Sequence, residues 1–272
     1  MKKSVCLGVI VAMTIVVAGQ RAAAQTVPAS GGPVDPALIE DLVAASHILA
    51  QEGVLDAFGH VSVRHPNNPV RYLMSRSVAP ALMTADDVIE YDLDSNPVSA
   101  NGRASFLERF IHGEIYKVRP DVNAIVHSHS PTVIPFSVSQ VPLQAMFTNA
   151  GFLVAGVPVF EIRKVAGMTN LLVSNKMIGK GLAETLGDKP VALMRGHGDV
   201  VVGASIPIVT YRAIYTEINA RMQWQAIGIG GPITFLTKEE GEKIDAVNND
   251  PKNPSGGIMR PWELWKKKVM EK

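Results

Sequence analysis

The sequence predicts a single α/β domain. Short apolar runs alternate with helix-spaced segments from residue 37 onward, and no internal repeat or interior linker divides them. A hydrophobic share of 47% over 272 residues is enough for one large core.

The start of the chain differs from its middle. Lys2 and Lys3 precede the apolar run VCLGVIVAMTIVVAG, which Ala22-Ala23-Ala24 closes. A basic start, a short apolar centre and a small-x-small end predict a secretory signal peptide over 1–24, cleaved after Ala24. The run falls short of the ~20 apolar residues a membrane-spanning helix needs. The mature chain is therefore expected in the periplasm or outside the cell, with no membrane segment. Its only cysteine, Cys6, would be lost with the signal, which leaves neither disulfides nor thiolate metal ligands. Removing Lys2, Lys3 and Arg21 from 26 basic side chains leaves 23 against 25 acidic ones, a net charge of −2. That balance gives no case for a nucleic-acid or anionic-membrane partner and leaves a small-molecule substrate.

Residues 25–36 are rich in Pro, Gly and Ser and predict a flexible lead-in. The domain is expected over 37–235, with a C-terminal extension over 236–272. PALIEDLVAASHILAQ has helical spacing, and Gly53 follows as a stop. HVSVRHP and VRYLMS predict strands around an Asn67-Asn68 turn. TADDVIEYDLD begins with a capping pattern and becomes a strand. SFLERFIHGEIYKVRP predicts an amphipathic helix ending at Pro120. A strand over DVNAIVHSHS, a short helix from PTVIPFSVSQ and a strand at VPVFEI follow. The spacing then predicts a helix over 170–186, stopped by Gly187. VALMRGHGDVVVG predicts two strands joined by a tight turn. A long helix is expected over 207–227, and a short Trp-bearing basic helix after a loop at the C-terminus. Trp262 and Trp265 are expected to pack, or to lid a neighbouring subunit's site, and His47 and His65 to be structural.

His127 and His129 carry the first chemical signal. Residues i and i+2 of a strand face the same way, so the two imidazoles point together at a strand end. Alone, the pair also fits two polar residues at a sheet edge. His197 lies between Gly196 and Gly198, which let it approach a neighbouring site; alone, it also fits a solvated turn. Glu108 sits in the first turn of the helix leading to the His127 strand, where an acid also serves the helix dipole. Together, three imidazoles and a carboxylate suit Zn²⁺ and also Fe²⁺, Mn²⁺ or Co²⁺, with one coordination position open.

The run ERFIHGEIYKVRPDVNAIVHSHS, followed by LMRGHGDVVVG, resembles the class II aldolase/adducin family, and GHVSVR at 59–64 resembles that family's glycine-Asn-x-Ser turn. The resemblance covers roughly residues 37 to 228. It implies a three-layer α/β/α domain around a mostly antiparallel sheet, and a homotetramer with its sites between subunits. It also implies a divalent metal on His127, His129 and His197, with Glu108 as acid/base or further ligand. The metal would act as a Lewis acid for the charge that develops when a bond beside a carbonyl breaks.

Departures from the family pattern narrow the substrate. Arg76-Ser77 and Phe106-Leu107 stand where sugar-phosphate aldolases carry phosphate-binding Ser-Gly and Ser-Ser pairs, and His60 replaces the turn asparagine. Phe147-Thr148 falls where several aldolases place a tyrosine proton donor. Arg76, Ser77 and His60 are therefore the candidate substrate-binding residues, with Arg76 suited to grip a carboxylate. His112, four residues after Glu108, is expected to hydrogen-bond it or to lie on a plain helix face. Phe106, Phe147 and Phe152 favour an aromatic acid. The reading is a metal-dependent carbon–carbon lyase, by aldol cleavage or decarboxylation, on a small non-phosphorylated oxo- or hydroxy-acid. An Fe²⁺ oxygenase, a sugar-phosphate aldolase or epimerase, and a non-catalytic adducin-like domain are the alternatives; the last tends to lack the three histidines.

Overall fold

A computed structural model describes residues 29–250, 252–253 and 257–271. The expected signal peptide and the first residues of the lead-in lie outside the described residues. The first helix, α1 (Pro36–Gln51), starts where Asp35 accepts a hydrogen bond from the Ala37 N–H at 2.9 Å. Its apolar stripe of Leu42, Ala45 and Leu49 is fully buried.

Among the described residues, seven strands form one sheet: β1 (His60–Arg64), β2 (Arg71–Ser75), β3 (Val88–Asp92), β4 (Ala124–Ser128), β5 (Val159–Phe160), β6 (Val191–Met194) and β7 (Gly198–Gly203). Their order is β3-β2-β1-β4-β7-β6-β5. Every pair is antiparallel except β5–β6. The helices are α2 (Phe110–Val118), α3 (Ile134–Val138), α4 (Arg163–Ala166), α5 (Lys176–Leu186), α6 (Ile206–Ile229), α7 (Lys238–Asn249) and α8 (Met259–Met270).

Strand alternation divides the core into two layers. Val61, Val126 and Val201 join α1, α6 and α8 on one face, while Ile125, Val200 and Val202 join α2 and α5 on the other. The three-layer arrangement follows from burying both faces. Trp262 and Trp265 of α8 are buried in the first layer, as a packing role requires.

β1 breaks the usual polar-out rule. His60, Ser62 and Arg64 occupy one face of the strand, yet α2 covers that face and all three are buried. Arg64 meets the cost of burial with hydrogen bonds to the carbonyls of Val122, Pro69, Tyr116 and Arg119.

Two expected elements are shorter than their sequence patterns. The strand at VPVFEI keeps only Val159–Phe160. The helix expected from residue 170 begins at Lys176, because the Asn175 side chain caps it by accepting the Ile178 N–H at 3.0 Å. Residues 170–174 are left as a loop, and that loop reaches Glu108 and His197.

Candidate metal centre and cleft

The antiparallel pair β4–β7 sets Ser128 opposite Asp199, so the end of β4 and the start of β7 meet in the middle of the sheet. His127 is the penultimate residue of β4, His129 lies just past its end, and His197 sits in the turn that enters β7. Gly198 is required for this approach: a Cβ there would stand 1.9 Å from the Ser128 carbonyl oxygen. Gly196 supplies the left-handed conformation of the turn, with φ +66°. Glu108 enters from the other side, in a single 3-10 turn (Leu107–Arg109) just before α2.

These four residues place ligand atoms within 4.8 Å of one another. Nε2 of His197 lies 3.1 Å from Nε2 of His129, and Glu108 Oε2 lies 3.5 Å and 3.4 Å from Nε2 of His127 and His197. The expected ligand set is thus brought together. The ring orientations carry further meaning. Nδ1 of His127 donates to the Asp199 carbonyl at 2.9 Å, and Nδ1 of His197 donates to the Leu171 carbonyl at 3.0 Å. Each ring therefore turns Nε2, which bears the lone pair of a neutral ring, toward the cluster. Carbonyl partners of this kind commonly hold metal-ligating histidines. Nε2 of His127 is buried with no hydrogen-bond partner, which is costly for a polar atom unless a cation meets it. Three converging lone pairs and a carboxylate fit a divalent metal ion.

The electrostatics agree. Burial pushes the Glu108 carboxyl up, but the adjacent His127 and His197 rings outweigh it and hold the group far below the usual carboxylate range. Burial presses His127 toward the neutral form, and Glu108 overcomes it and raises its pKa. His129 is lowered to about 4, by burial and then by His127 and His197. The pocket thus favours positive charge near Glu108. The 170–174 loop contributes twice: besides the Leu171 carbonyl, the Val173 N–H donates to Glu108 Oε1 at 2.8 Å.

A cleft of about 550 Å³ opens over this cluster, in the range that holds a small molecule. Phe58, Phe106, Leu107, Leu172, Val78 and Ala79 wall it, with His60, Ser77, Glu108 and His129 as its polar side chains, and among the described residues no Lys or Arg lines it. Ser77 and His60 therefore lie where the sequence predicts. Arg76 does not: its Nε donates to Asp87 Oδ1 at 2.5 Å, outside the cleft. Asp87 is held in turn by the Thr84 capping box, so the arginine is drawn to the fixed carboxylate of its own neighbourhood. Phe106 lines the cleft, whereas Phe147 packs against Tyr215 and Phe152 lies beneath Arg212.

His112 also departs from expectation. It does not bond Glu108; its Nε2 pairs with His60 Nδ1 and its Nδ1 with Ser62 Oγ, both at 2.6 Å. Ser62 Oγ continues to the Tyr116 hydroxyl at 2.8 Å. This buried chain fixes the His60 ring from behind and leaves Nε2 for the cleft. The structural assignments of His47 and His65 stand: they bond the carbonyls of Met83 and Gly32.

The profile of the Class II Aldolase and Adducin N-terminal domain matches residues 40–224. The chain belongs to this family. A relative named decarboxylase tropJ, from Talaromyces stipitatus, is 37% identical over 254 residues, covering 85% of this chain and 93% of its own. The 3,4-dihydroxyphthalate decarboxylase of Arthrobacter keyseri is 30% identical over 209 residues, covering 72% and 82%. In fold, the class II aldolase domain is similar to the L-fuculose 1-phosphate aldolase of Glaciozyma antarctica, with a TM-score of 0.70 at 24% identity over 88% of this chain and 95% of that one. This class II aldolase family member is an enzyme of the lyase type.

Proposed function

We propose that the protein decarboxylates a small, non-phosphorylated aromatic hydroxy-acid. The observation that carries this reading is the cleft itself. It is an apolar slot with two phenylalanines, suited to a flat ring, and among the described residues no Lys or Arg lines it to grip a phosphate. The similarity to two decarboxylases, one of them acting on a dihydroxyphthalate, supports the same choice between aldol cleavage and decarboxylation.

His127, His129 and His197 would hold the metal, with Glu108 beside it, and the ion would supply a Lewis acid that withdraws charge from substrate oxygens. Zinc is the expected ion for this donor set; Fe²⁺, Mn²⁺ and Co²⁺ suit it as well. Glu108 rests ionised, so it begins as a base. Its Oε1 is fixed by Val173, and Oε2 takes the proton of a ring hydroxyl and passes it to the carbon bearing the carboxylate. The C–C bond then breaks, CO₂ leaves, the electron pair returns to the ring oxygen, and that oxygen takes a proton from water. Phe58, Phe106 and Leu107 give the slot apolar walls, and His60 Nε2 reaches a polar substituent of the ring.

CO₂ release from a panel of hydroxybenzoates and hydroxyphthalates, measured without oxygen, tests the reading. One equivalent of CO₂ per arene formed is expected. Cleavage of ketose phosphates instead, or a strict need for O₂, would replace it with the aldolase or oxygenase alternative.

Two further proposals rest on sequence and family. Export is supported by the basic-apolar-small pattern of 1–24, and amino-terminal sequencing of protein from the native host should find Gln25 first. A homotetramer is supported by the family resemblance, and light scattering checks it.

A further inference from the structure

The four residues His127-Ser128-His129-Ser130 divide by parity. The imidazoles face α2 and the cleft, and the serines face α6. Ser128 Oγ donates to the buried carboxylate of Asp199, and the Ser130 N–H returns to Ser128 Oγ at 3.2 Å. Ser130 Oγ donates to Glu217 Oε2. Glu217 lies on α6, inside the core, with 1% of its surface exposed.

Its bonding is concentrated on one short segment. Besides Ser130, the Thr132 N–H donates to Oε2 at 3.1 Å and the Thr132 hydroxyl to Oε1. Arg221, one turn along α6, adds a contact to Oε1 at 3.1 Å. A buried carboxylate is costly to desolvate unless it is paired and hydrogen-bonded. Here three of the four bonds go to residues that directly follow His129.

The three histidines are oriented differently. His127 and His197 each give Nδ1–H to a carbonyl. Among the described residues, the His129 ring has no such partner; its hydrogen-bond contact is Nε2 of His197. It also lies just past the last residue of β4, where the strand ladder no longer fixes the backbone. The restraint on His129 must therefore come through its main chain, and Glu217 grips the segment one to three residues on, through the Ser130 and Thr132 hydroxyls and the Thr132 N–H.

We propose that Glu217 is a positioning residue: it holds the Ser130–Thr132 segment so that His129 presents the third nitrogen of the metal set. This rests on the reading that the histidine cluster binds a divalent metal. The consequence is that metal affinity depends on a carboxylate that touches neither metal nor substrate. Orienting partners behind metal ligands typically change affinity by about 10–100-fold when removed.

The test measures Zn²⁺ affinity by competition with a chromophoric chelator, and the visible spectrum of the Co²⁺-loaded protein. Glu217→Gln should weaken Zn²⁺ binding by about 10-fold or more and alter the Co²⁺ bands. Thr132→Val should weaken binding in the same direction, while Thr132→Ser, which keeps the hydroxyl, should restore it. Unchanged Zn²⁺ affinity and Co²⁺ spectrum in folded Glu217→Gln overturns the proposal, whatever happens to thermal stability. If Glu217→Gln fails to fold, the Thr132 pair decides: equal affinity in the Val and Ser variants overturns it. Absence of metal binding by the unaltered protein would instead overturn the metal reading beneath it.

Discussion

Nε2 of His129 lies 3.1 Å from Nε2 of His197. The Leu171 carbonyl takes the Nδ1–H of His197, so its Nε2 carries a lone pair. Two facing lone pairs at that separation repel unless a proton or a cation lies between them. The unpartnered Nε2 of buried His127 adds a third donor to the same space. A divalent cation satisfies all three; a single proton does not.

The first prediction is about one divalent metal per chain after purification without chelators. His127→Ala and His197→Ala should each lose most of it, and prolonged chelation should abolish activity that added Zn²⁺ or Co²⁺ restores. Elemental analysis checks the content. Full occupancy in both variants would exclude this site.

Glu108→Gln isolates the proton chemistry. The carboxamide is nearly isosteric and still accepts the Val173 N–H through its oxygen, but it cannot exchange a proton. Turnover should fall by about 10²-fold or more, the range for a lost general acid/base. Metal content should remain largely intact. Wild-type turnover in a metal-loaded Gln variant would show that the proton moves by another group.

The fold was legible because its signals are local. The i, i+2 spacing of His127 and His129 survives folding unchanged, and the glycines around His197 mark a turn wherever it is placed. The polar face of HVSVR was harder. Alternation reads His60 and Ser62 as solvent-facing, and only the placement of α2 over β1 shows that they are buried partners of His112. The same placement explains why His112 turns from Glu108: its helix face points to the sheet. The Leu171 and Val173 contacts were hidden inside an apparent helix, although Asn175, an N-cap residue type, marked where that helix could begin. Glu217 left a faint trace, as an acid on the stripe of Ala213, Ile214 and Ala220, all of which are buried. Helix α7 had a readable signal in its Thr237/Glu240 capping box.

Arg76 is predicted to be dispensable for substrate binding. The sequence places it beside the cleft, but Asp87 holds its guanidinium at 2.5 Å. Arg76→Ala should change KM for an aromatic carboxylate less than 3-fold and cost no more than about 1 kcal/mol of stability, as for a partly exposed ion pair. His60→Ala should instead raise KM, since His60 lines the cleft. Steady-state kinetics on both variants separates the two roles. A large KM effect from Arg76 alone would mean that the pair with Asp87 opens when substrate binds.

Acid should destabilise the metal-free protein through His112. Burial lowers its pKa to about 3, with the neighbouring His127 charge adding to the effect and Glu108 opposing it. An unfolded histidine titrates near 6.5. Below that value the unfolded chain binds a proton that the folded chain refuses until about pH 3. The stability that neutral His112 contributes is thus present above pH 6.5 and is lost as pH falls toward 3, by up to ~1.4 kcal/mol per pH unit. Other groups titrate across the same range, so the comparison must be differential. His112→Gln removes the titrating ring and should flatten the dependence of the urea midpoint on pH between about 6.5 and 4.5, while lowering stability at pH 7 through the broken bonds to His60 and Ser62. Parallel pH profiles for the two proteins would show that His112 is protonated in the folded state, and the hydrogen-bonded chain from Tyr116 to His60 would then carry a charge.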